Sequence, residues 1–133
     1  DTIMSIIHNS AQWLKDPRYR LILQCQSKTP MLRKYLSESG WRIAEETVLR
    51  DGKFLYTVME VLFDPAYPRL TPAQCYFPPA LLEKPSEHLA DYYRWVVEGL
   101  RIATAHQDDS EKKRILKDLL EDPNLTFLRE DTP

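Results

Sequence analysis

"RLILQCQSKTP", residues 20–30, passes from a run of large aliphatic residues into a cluster of small polar residues and then into the start of a helix. The three consecutive aliphatic residues at 21–23 are typical of a strand that is covered on both faces. Thr29 is a suitable N-cap, and Pro30 suits the first position of a helix. Because ligands bind at the carboxyl ends of strands in open parallel sheets, this stretch predicts a strand over residues 19–24 that ends at a binding edge.

The composition of the 133-residue chain is that of an ordinary globular protein, with 43% hydrophobic and 29% charged residues. Its formal net charge of −2 gives no general attraction to nucleic acid or to membranes. No apolar run approaches the roughly 20 residues that span a bilayer, and no signal-peptide pattern is present. We therefore expect a cytoplasmic protein that does not bind membranes, built as one domain or as a compact unit with an appendage.

The cysteines and histidines form no recognisable metal or nucleophile motif. His8, His88 and His106 are scattered and show no ligand spacing to Cys25 or Cys75. No histidine lies near Cys25 in sequence, which argues against a nucleophilic thiol. A disulfide is disfavoured in a cytoplasmic chain. Both cysteines are therefore expected to be free and buried, and no catalytic or metal-binding residue is assigned.

The first half of the chain predicts a helix, a strand, a second helix and an antiparallel hairpin. The first helix runs to about Lys15, and the second spans residues 31–39 and is closed by Gly40. Asp51-Gly52, between two runs rich in β-branched and aromatic residues, is a strong hairpin signal. The apolar residues expected to face the core are Ile3, Ile6, Ile7 and Leu14 on the first helix and Met31, Leu32, Tyr35 and Leu36 on the second.

The second half of the chain predicts mainly helices. Thr71, followed by a proline, repeats the helix start, and the longest helix is expected over residues 86–106. Its apolar stripe is Leu89, Tyr92, Tyr93, Val96, Val97, Leu100 and Ala103. A polar turn leads to another amphipathic helix that ends at Asp122, and the last ten residues look loosely held. Residues 1–63 and 64–133 are thus predicted as two portions, the second built on a helical hairpin.

Five cations and no acidic residue lie between residues 17 and 37. Three of them, Lys28, Arg33 and Lys34, follow the predicted strand end and occupy the first turns of the next helix; the other two are Arg18 and Arg20. Such a cluster is typical of a surface that contacts nucleic-acid phosphates, and equally of a helix face that is simply solvated. Both interpretations stay open, and the first makes Lys28, Arg33 and Lys34 candidate contacts.

Two further features could contact a nucleobase. Gln24 lies at the predicted strand end, where its amide could read a base edge or could merely cap the backbone. Tyr92, Tyr93, Arg94 and Trp95 could stack on bases, although aromatic residues at helical spacing more often pack between helices. Gln24 is therefore added to the candidate contacts.

Two function classes fit these elements. One is a piece of an α/β enzyme whose earlier strands lie outside this chain. The start at Asp1 and the presence of three glycines, too few for a glycine-rich nucleotide-binding turn, favour this class. The other is a winged-helix nucleic-acid-binding module with a helical dimerisation hairpin. The strongly apolar strand argues against it, because a recognition helix normally follows a second helix and a short turn.

"YRLILQCQSKTPMLRKYLSESGWRIAEETVLRDGKFLYTVMEV", residues 19–61, resembles the C-terminal half of the bacterial tRNA adenine-N1-methyltransferases that modify adenine 22. The similarity lies in the "LILQ" strand, the "LRKYL" helix and the "SGWRI" and "DGKFLYTVMEV" segments, and it continues through "LTPAQCYFPPALLEKP". Two positions depart from the family pattern. Cys25 follows the glutamine of "LILQ" where proline is usual, and Pro78 stands where a glycine is usual.

The resemblance implies an α/β fold: the C-terminal part of a Rossmann-like class I methyltransferase sheet, followed by a helical, coiled-coil-like C-terminal domain. The strand at residues 19–24 would be the fifth of that sheet, and the hairpin would supply the sixth and seventh strands, the last antiparallel. The resemblance also implies that the parent protein uses S-adenosylmethionine as cofactor and tRNA as partner.

The cofactor loop and the catalytic residues of that family would lie upstream of Asp1. No catalytic or cofactor-binding residue therefore carries over onto this chain, and we expect the chain alone to be inactive. The strand at residues 19–24 would then end at the mouth of a methyltransferase cleft. The open sheet edge and the helical hairpin are expected to meet the missing N-terminal half or a second copy.

Overall fold

A computed structural model describes residues 2–9, 15–16, 18–25 and 27–130. The elements of the first half are α1 (Thr2–Asn9), β1 (Leu21–Cys25), α2 (Thr29–Glu38), β2 (Trp41–Asp51) and β3 (Phe54–Phe63). Those of the second half are α3 (Pro72–Tyr76), α4 (Ala80–Glu83), α5 (Leu89–His106), α6 (Ser110–Glu121), a 3-10 turn (Pro123–Leu125) and α7 (Thr126–Glu130). The predicted order of helix, strand, helix and hairpin, with helices after it, is confirmed.

The strands β1, β3 and β2 form a three-stranded sheet in that order, and both neighbouring pairs are antiparallel. The predicted hairpin is confirmed, since Asp51 pairs with Phe54 and Gly52 lies in the turn with φ 60°. Glycine adopts this left-handed backbone without steric cost. Within the described residues β1 pairs with β3 alone, so the parallel neighbour expected for β1 is not part of the described sheet.

A β-bulge in β2 decides which of its side chains face the core. The register of β2 against β3 shifts between Ile43 and Glu45, which leaves Ala44 as an extra residue. A shift by one residue moves the following side chains to the opposite face of a sheet. Glu46 therefore lies opposite Met59 on the covered face and is buried, whereas Glu45 is exposed.

The first core cluster lies between the sheet and helices α1 and α2. Its buried members are Ile7, Cys25, Leu32, Leu36, Trp41, Met59 and Val61. The strand β1 contributes from one face, since Leu21 and Leu23 are half-buried while Ile22 is 68% exposed. The expectation of a strand covered on both faces is therefore wrong for the described residues, because α1 and α2 pack on the same face of the sheet.

The buried faces of α1 and α2 are rotated from the predicted ones. Ile6 and Met31, both expected to face inward, are exposed. On α2 the buried stripe is Leu32, Arg33 and Leu36, so a charged residue takes an interior position. Leu14, which was expected to complete the stripe of the first helix, lies outside the described residues.

The second core cluster lies among the helices of the second half. The predicted cap of α3 is confirmed: the Thr71 hydroxyl accepts from the Gln74 N–H at 3.2 Å, and the Gln74 side chain accepts from the Thr71 N–H at 2.9 Å. The stripe predicted for the longest helix is buried from Leu89 to Leu100. Val48 of β2 packs into the same cluster, so residues 1–63 and 64–133 share apolar contacts. Their division into two portions stays a prediction.

The residues after α6 are packed against the helices, and the expectation that they are loosely held is wrong up to residue 130. Leu125 and Leu128 are buried in the second cluster. Arg129 donates to the Tyr93 hydroxyl and to the Leu119 carbonyl, each at 3.2 Å. The 3-10 turn and α7 thereby place two leucines against α5 and α6.

None of the helices in the described ranges combines the length and the hydrophobicity that crossing a bilayer requires.

Replacing Leu128 with alanine is expected to lower the free energy of unfolding by about 2–5 kcal/mol, because the change empties a buried site. Phe127→Ala, at the neighbouring exposed position, is expected to cost about 1 kcal/mol or less. Urea unfolding of both variants measures the difference. Equal, small effects of the two changes would show that the C-terminal segment is loosely held after all.

Candidate functional site at the end of the first strand

The turn between β1 and α2 is organised by Cys25. Its thiol donates to the Ser27 carbonyl at a sulfur–oxygen distance of 3.1 Å and accepts a hydrogen bond from the Thr29 hydroxyl at 3.4 Å. Cys25 and Cys75 are both free and buried, as predicted, and burial raises the pKa of the Cys75 thiol. The small polar residues at the strand end therefore close the turn through hydrogen bonds to one another.

Lys28, rather than Thr29, is the residue that precedes the first turn of α2. Its backbone is left-handed, with φ 55° and ψ 32°, and its carbonyl accepts from the N–H groups of Met31 and Leu32 at 3.1 and 3.2 Å. For a residue with a side chain this conformation costs on the order of 1 kcal/mol. The prediction of Thr29 as N-cap is thus wrong by one residue, because the hydroxyl of Thr29 bonds to Cys25 instead.

Arg33 is completely buried and joins four elements of the fold. Its Nη2 and Nε atoms donate to the Glu46 carboxylate of β2, with a shortest distance of 2.6 Å. Its Nη1 donates to the carbonyls of Cys75 and Tyr76 in α3 at 2.9 and 3.2 Å. Its Nη2 also donates to the Tyr92 hydroxyl of α5 at 2.9 Å. All five N–H donors of the guanidinium therefore have acceptors.

The electrostatics of this cluster keep Arg33 charged. Burial alone would lower its pKa, but the Glu46 carboxylate and the Tyr92 hydroxyl outweigh that effect and raise the pKa above its ordinary value. Burial has the opposite effect on Tyr92 and raises its pKa, because burial disfavours the charged phenolate, although Arg33 opposes this shift. The cluster is thus a guanidinium–carboxylate pair with a neutral phenol.

The inclusion of Arg33 among exposed phosphate contacts is therefore wrong. Its side chain is 0% exposed and all of its donors are used inside the protein. The burial of Arg33 could not be predicted from the run of cations, because its partner Glu46 faces inward only through the bulge at Ala44. If the bulge had been recognisable in the sequence, the inward carboxylate of Glu46 would have indicated a buried cationic partner.

The other two cations of the predicted patch are exposed but lie beside different depressions. Lys34 lines a depression of about 360 Å³ together with Glu38, and its Nζ atom lies 3.9 Å from the Glu38 carboxylate. Lys28 lines a second depression of about 270 Å³. Gln24 is exposed at the end of β1. The structure therefore separates the predicted patch into two surfaces, and Arg33 belongs to neither.

The second depression is a groove between the turn at residues 27–30 and helix α5, and we call it the α5 groove. Val96, Leu100 and Ala103 give it an apolar wall, and Lys112 of α6 lines it as well. No carboxylate is among its described lining residues. Its cations are therefore not neutralised from within the groove.

Trp95 is the exposed aromatic residue of this groove. Its side chain is 58% exposed, whereas Tyr92 and Tyr93 are buried, which confirms the packing interpretation for the two tyrosines. The Trp95 ring lies 5.8 Å from that of Tyr92 with an interplanar angle of 36°. Arg94 forms an ion pair with Asp91. Of the four residues considered for base stacking, Tyr92 and Trp95 line the α5 groove, and of these two only Trp95 is exposed.

The model of the tRNA (adenine(22)-N(1))-methyltransferase family matches residues 1–122 of this chain. The chain belongs to that family. The match covers both the sheet portion and most of the helical portion, and it does not favour the winged-helix alternative. The structure agrees, since residues 27–40, described without a gap, hold a single helix between β1 and β2.

Solved structures show the same fold. A candidate tRNA (m1A22) methyltransferase from Streptococcus pneumoniae, in complex with S-adenosyl-L-methionine, is 24% identical with a TM-score of 0.70, over 90% of this chain and 55% of that one. The B. subtilis M1A22 tRNA methyltransferase TrmK is 20% identical with a TM-score of 0.62, and the match covers 96% of this chain and 57% of that one. A protein of the NADB-Rossmann superfamily from Streptococcus agalactiae is 22% identical with a TM-score of 0.67, and the match covers 96% of this chain and 54% of that one.

The chain therefore spans a little more than half the length of these solved relatives. No curated protein sequence matches this chain significantly. The fold class is accordingly α/β and Rossmann-like, and the three described strands form an antiparallel sheet.

Removing Arg33 is expected to destabilise this family member strongly. Arg33→Ala leaves Glu46 as an unpaired buried charge, which costs about 3–5 kcal/mol of the free energy of unfolding. Lys34→Ala, one residue along the same helix but exposed, is expected to change it by no more than about 0.5 kcal/mol. Urea unfolding of the two variants tests the assignment.

A double variant, Arg33→Met with Glu46→Leu, separates the ion pair from the packing around it. Because no charge is then left buried, it is expected to recover part of the stability lost in Arg33→Ala. The recovery is incomplete because the carbonyls of Cys75 and Tyr76 and the Tyr92 hydroxyl lose the donor that Arg33 supplied. If Arg33→Ala proved as stable as Lys34→Ala, the guanidinium would have to be solvated, contrary to its placement in the structure.

Proposed function

We propose that the whole protein containing this chain transfers a methyl group from S-adenosylmethionine to N1 of adenine 22 in tRNA. The observation that carries the proposal is the family match over residues 1–122. In such a reaction S-adenosylmethionine would supply an activated methyl group, and N1 of the base would accept it. The base must leave its helix to be reached, as for other enzymes that modify a base.

We infer that the cofactor site does not lie within this chain. Its three glycines stand at the end of α2, in the hairpin turn and in the middle of α5, so they make no glycine-rich turn in which the backbone could approach the cofactor. We therefore derive no step of methyl transfer through the cofactor from these residues. In this proposal the chain supplies the substrate side of the cleft and the helical portion.

The placement of the chain in a larger sheet is part of the same proposal. The strands β1, β3 and β2 would be the fifth, seventh and sixth strands of a class I methyltransferase sheet, followed by the helical portion from residue 64. Two observations support this. First, the outer edge of β1 pairs with no strand among the described residues. Second, Ile22 is 68% exposed, so no described helix covers it on its face of the sheet. Both surfaces could accept the remainder of a Rossmann-like domain.

A methylation assay tests the proposed activity directly. The whole protein, incubated with S-adenosylmethionine and unmodified tRNA, is expected to yield N1-methyladenosine in nucleoside mass spectrometry, at adenine 22. The 133-residue chain alone serves as the negative control and is expected to give no product and no calorimetric binding of the cofactor. Methylation of proteins or small molecules without methylated tRNA would contradict the proposal. Micromolar cofactor binding by this chain alone would contradict our placement of the cofactor site.

Lys28 and Lys34 are proposed tRNA phosphate contacts. Replacing either with alanine in the whole protein is expected to weaken binding about equally for different tRNAs and to reduce the slope of log affinity against log salt by about one unit. Lys117→Ala is the matched control, because Lys117 is exposed and lines neither depression. Filter binding over a series of salt concentrations measures the slope. Unchanged slopes for both variants would leave these lysines as solvated side chains.

Gln24 is proposed to position the target base rather than to hold the tRNA. Its exposed amide at the end of β1 can both donate and accept a hydrogen bond. Gln24→Ala is therefore included in the same measurements and is expected to lower kcat more than tRNA affinity. A loss confined to affinity would assign Gln24 to tRNA binding instead.

A further inference from the structure

We propose that the α5 groove binds one unpaired nucleobase of the RNA substrate, which stacks on Trp95 while its flanking phosphates meet Lys28 and Lys112. This proposal rests on the proposed function in that it takes tRNA as the substrate. It adds a binding site on the helical portion of the chain, beside the strand end that carries Gln24.

The first argument is the exposure of Trp95. The neighbouring stripe residues on α5 are buried, yet this large aromatic ring is 58% exposed and lines the groove. Contact with Tyr92 at a ring distance of 5.8 Å holds the indole against the helix. Tyr92 is itself fixed by the hydrogen bond from Arg33. An indole that is already oriented loses little conformational freedom when a base stacks on it.

The second argument is Gly99, which lines the same groove in the middle of the 18-residue helix α5. Glycine is a poor helix former, weaker than alanine by about 1 kcal/mol. A Cβ atom at this position would meet no atom within 4 Å, so neither packing nor an unusual backbone requires glycine here. The missing side chain instead keeps open the space between α5 and the turn at residues 27–30.

The third argument is the combination of charge and size. Lys28 and Lys112 line the groove, and none of its described lining residues is acidic, which suits a phosphate-bearing ligand. Burial and the carboxylates of Glu111 and Asp109 raise the pKa of Tyr76, so this lining side chain stays neutral. The volume of about 270 Å³ lies just below the usual range of small-molecule pockets, about 300–1,000 Å³. A single planar base fits this space better than an extended ligand.

Binding of an unstructured oligoadenylate RNA to the whole protein tests the groove without relying on catalysis. Trp95→Ala and Gly99→Leu are each expected to weaken binding on the order of tenfold, the first by removing the stacking surface and the second by filling the groove. Trp95→Phe is expected to keep most of the affinity. Oligoadenylate should quench the tryptophan emission of the unmodified protein and quench that of Trp95→Phe much less.

Two matched controls share the helix but not the groove. Ile102→Ala removes an apolar side chain of similar exposure, and Ala105→Leu adds a leucine at an exposed position; neither residue lines the groove. Both are expected to bind oligoadenylate within about twofold of the unmodified protein. All five α5 variants are expected to retain cofactor affinity in calorimetry and the midpoint of thermal unfolding, within a few degrees.

The outcomes separate the groove from the proposed reaction. If the protein methylates tRNA while Trp95→Ala and Gly99→Leu bind RNA normally, the groove proposal is overturned and the proposed function stands. If Trp95→Ala and Gly99→Leu both lose RNA affinity but no N1-methyladenosine forms in tRNA, the groove proposal stands and the proposed function fails. Loss in Trp95→Ala with normal binding by Gly99→Leu would place the base outside the groove and overturn the proposal. Binding of polyglutamate, in place of RNA, would overturn it as well.

Discussion

The buried pair of Arg33 and Glu46 is the interaction on which the rest of this structure depends. Removing two charges from water is costly, and the cost is offset only when every remaining donor and lone pair finds a partner. Here the guanidinium meets a carboxylate on β2, two carbonyls of α3 and a phenol on α5. These partners come from both portions of the chain. The pair therefore fixes how the helices of the second half sit against the sheet.

This constraint reaches the candidate site through α2 and α5. Arg33 lies on α2, whose first turn begins just after Lys28, and its partner Tyr92 lies on α5 in contact with Trp95. The two walls of the α5 groove are thus tied together by one buried side chain. A groove held in this way can present an aromatic surface without first reorganising, which is the property that a stacking site needs.

The two exposed surfaces of the sheet differ in chemical character from the α5 groove. Ile22 presents an exposed apolar side chain, and the outer edge of β1 has no strand partner among the described residues. An uncovered apolar face and an open strand edge normally find a partner in the folded protein. The solved relatives are nearly twice as long as this chain. Their similarity to the described structure makes its fold Rossmann-like. In our proposals these surfaces contact the rest of a larger domain, whereas the groove binds a ligand.

Much of the local structure followed from the amino-acid sequence by itself. Asp51-Gly52 specified the hairpin because its left-handed turn requires glycine, and Thr71 specified the start of α3 because its hydroxyl meets the backbone three residues later. The stripe on α5 followed from its helical period. The family was recognisable from these elements in their order, and the family match supports it.

The tertiary structure decided what the local signals could not. Arg33 is buried because a bulge at Ala44, invisible in the sequence, turns Glu46 inward to meet it. Ile22 is exposed because both packing helices lie on one face of the sheet, although its aliphatic run looked covered on both. Leu125 and Leu128 are buried because distant residues of α5 and α6 receive them. In each case the deciding partner is remote in the chain, so the burial of a side chain depends on packing that no local pattern contains.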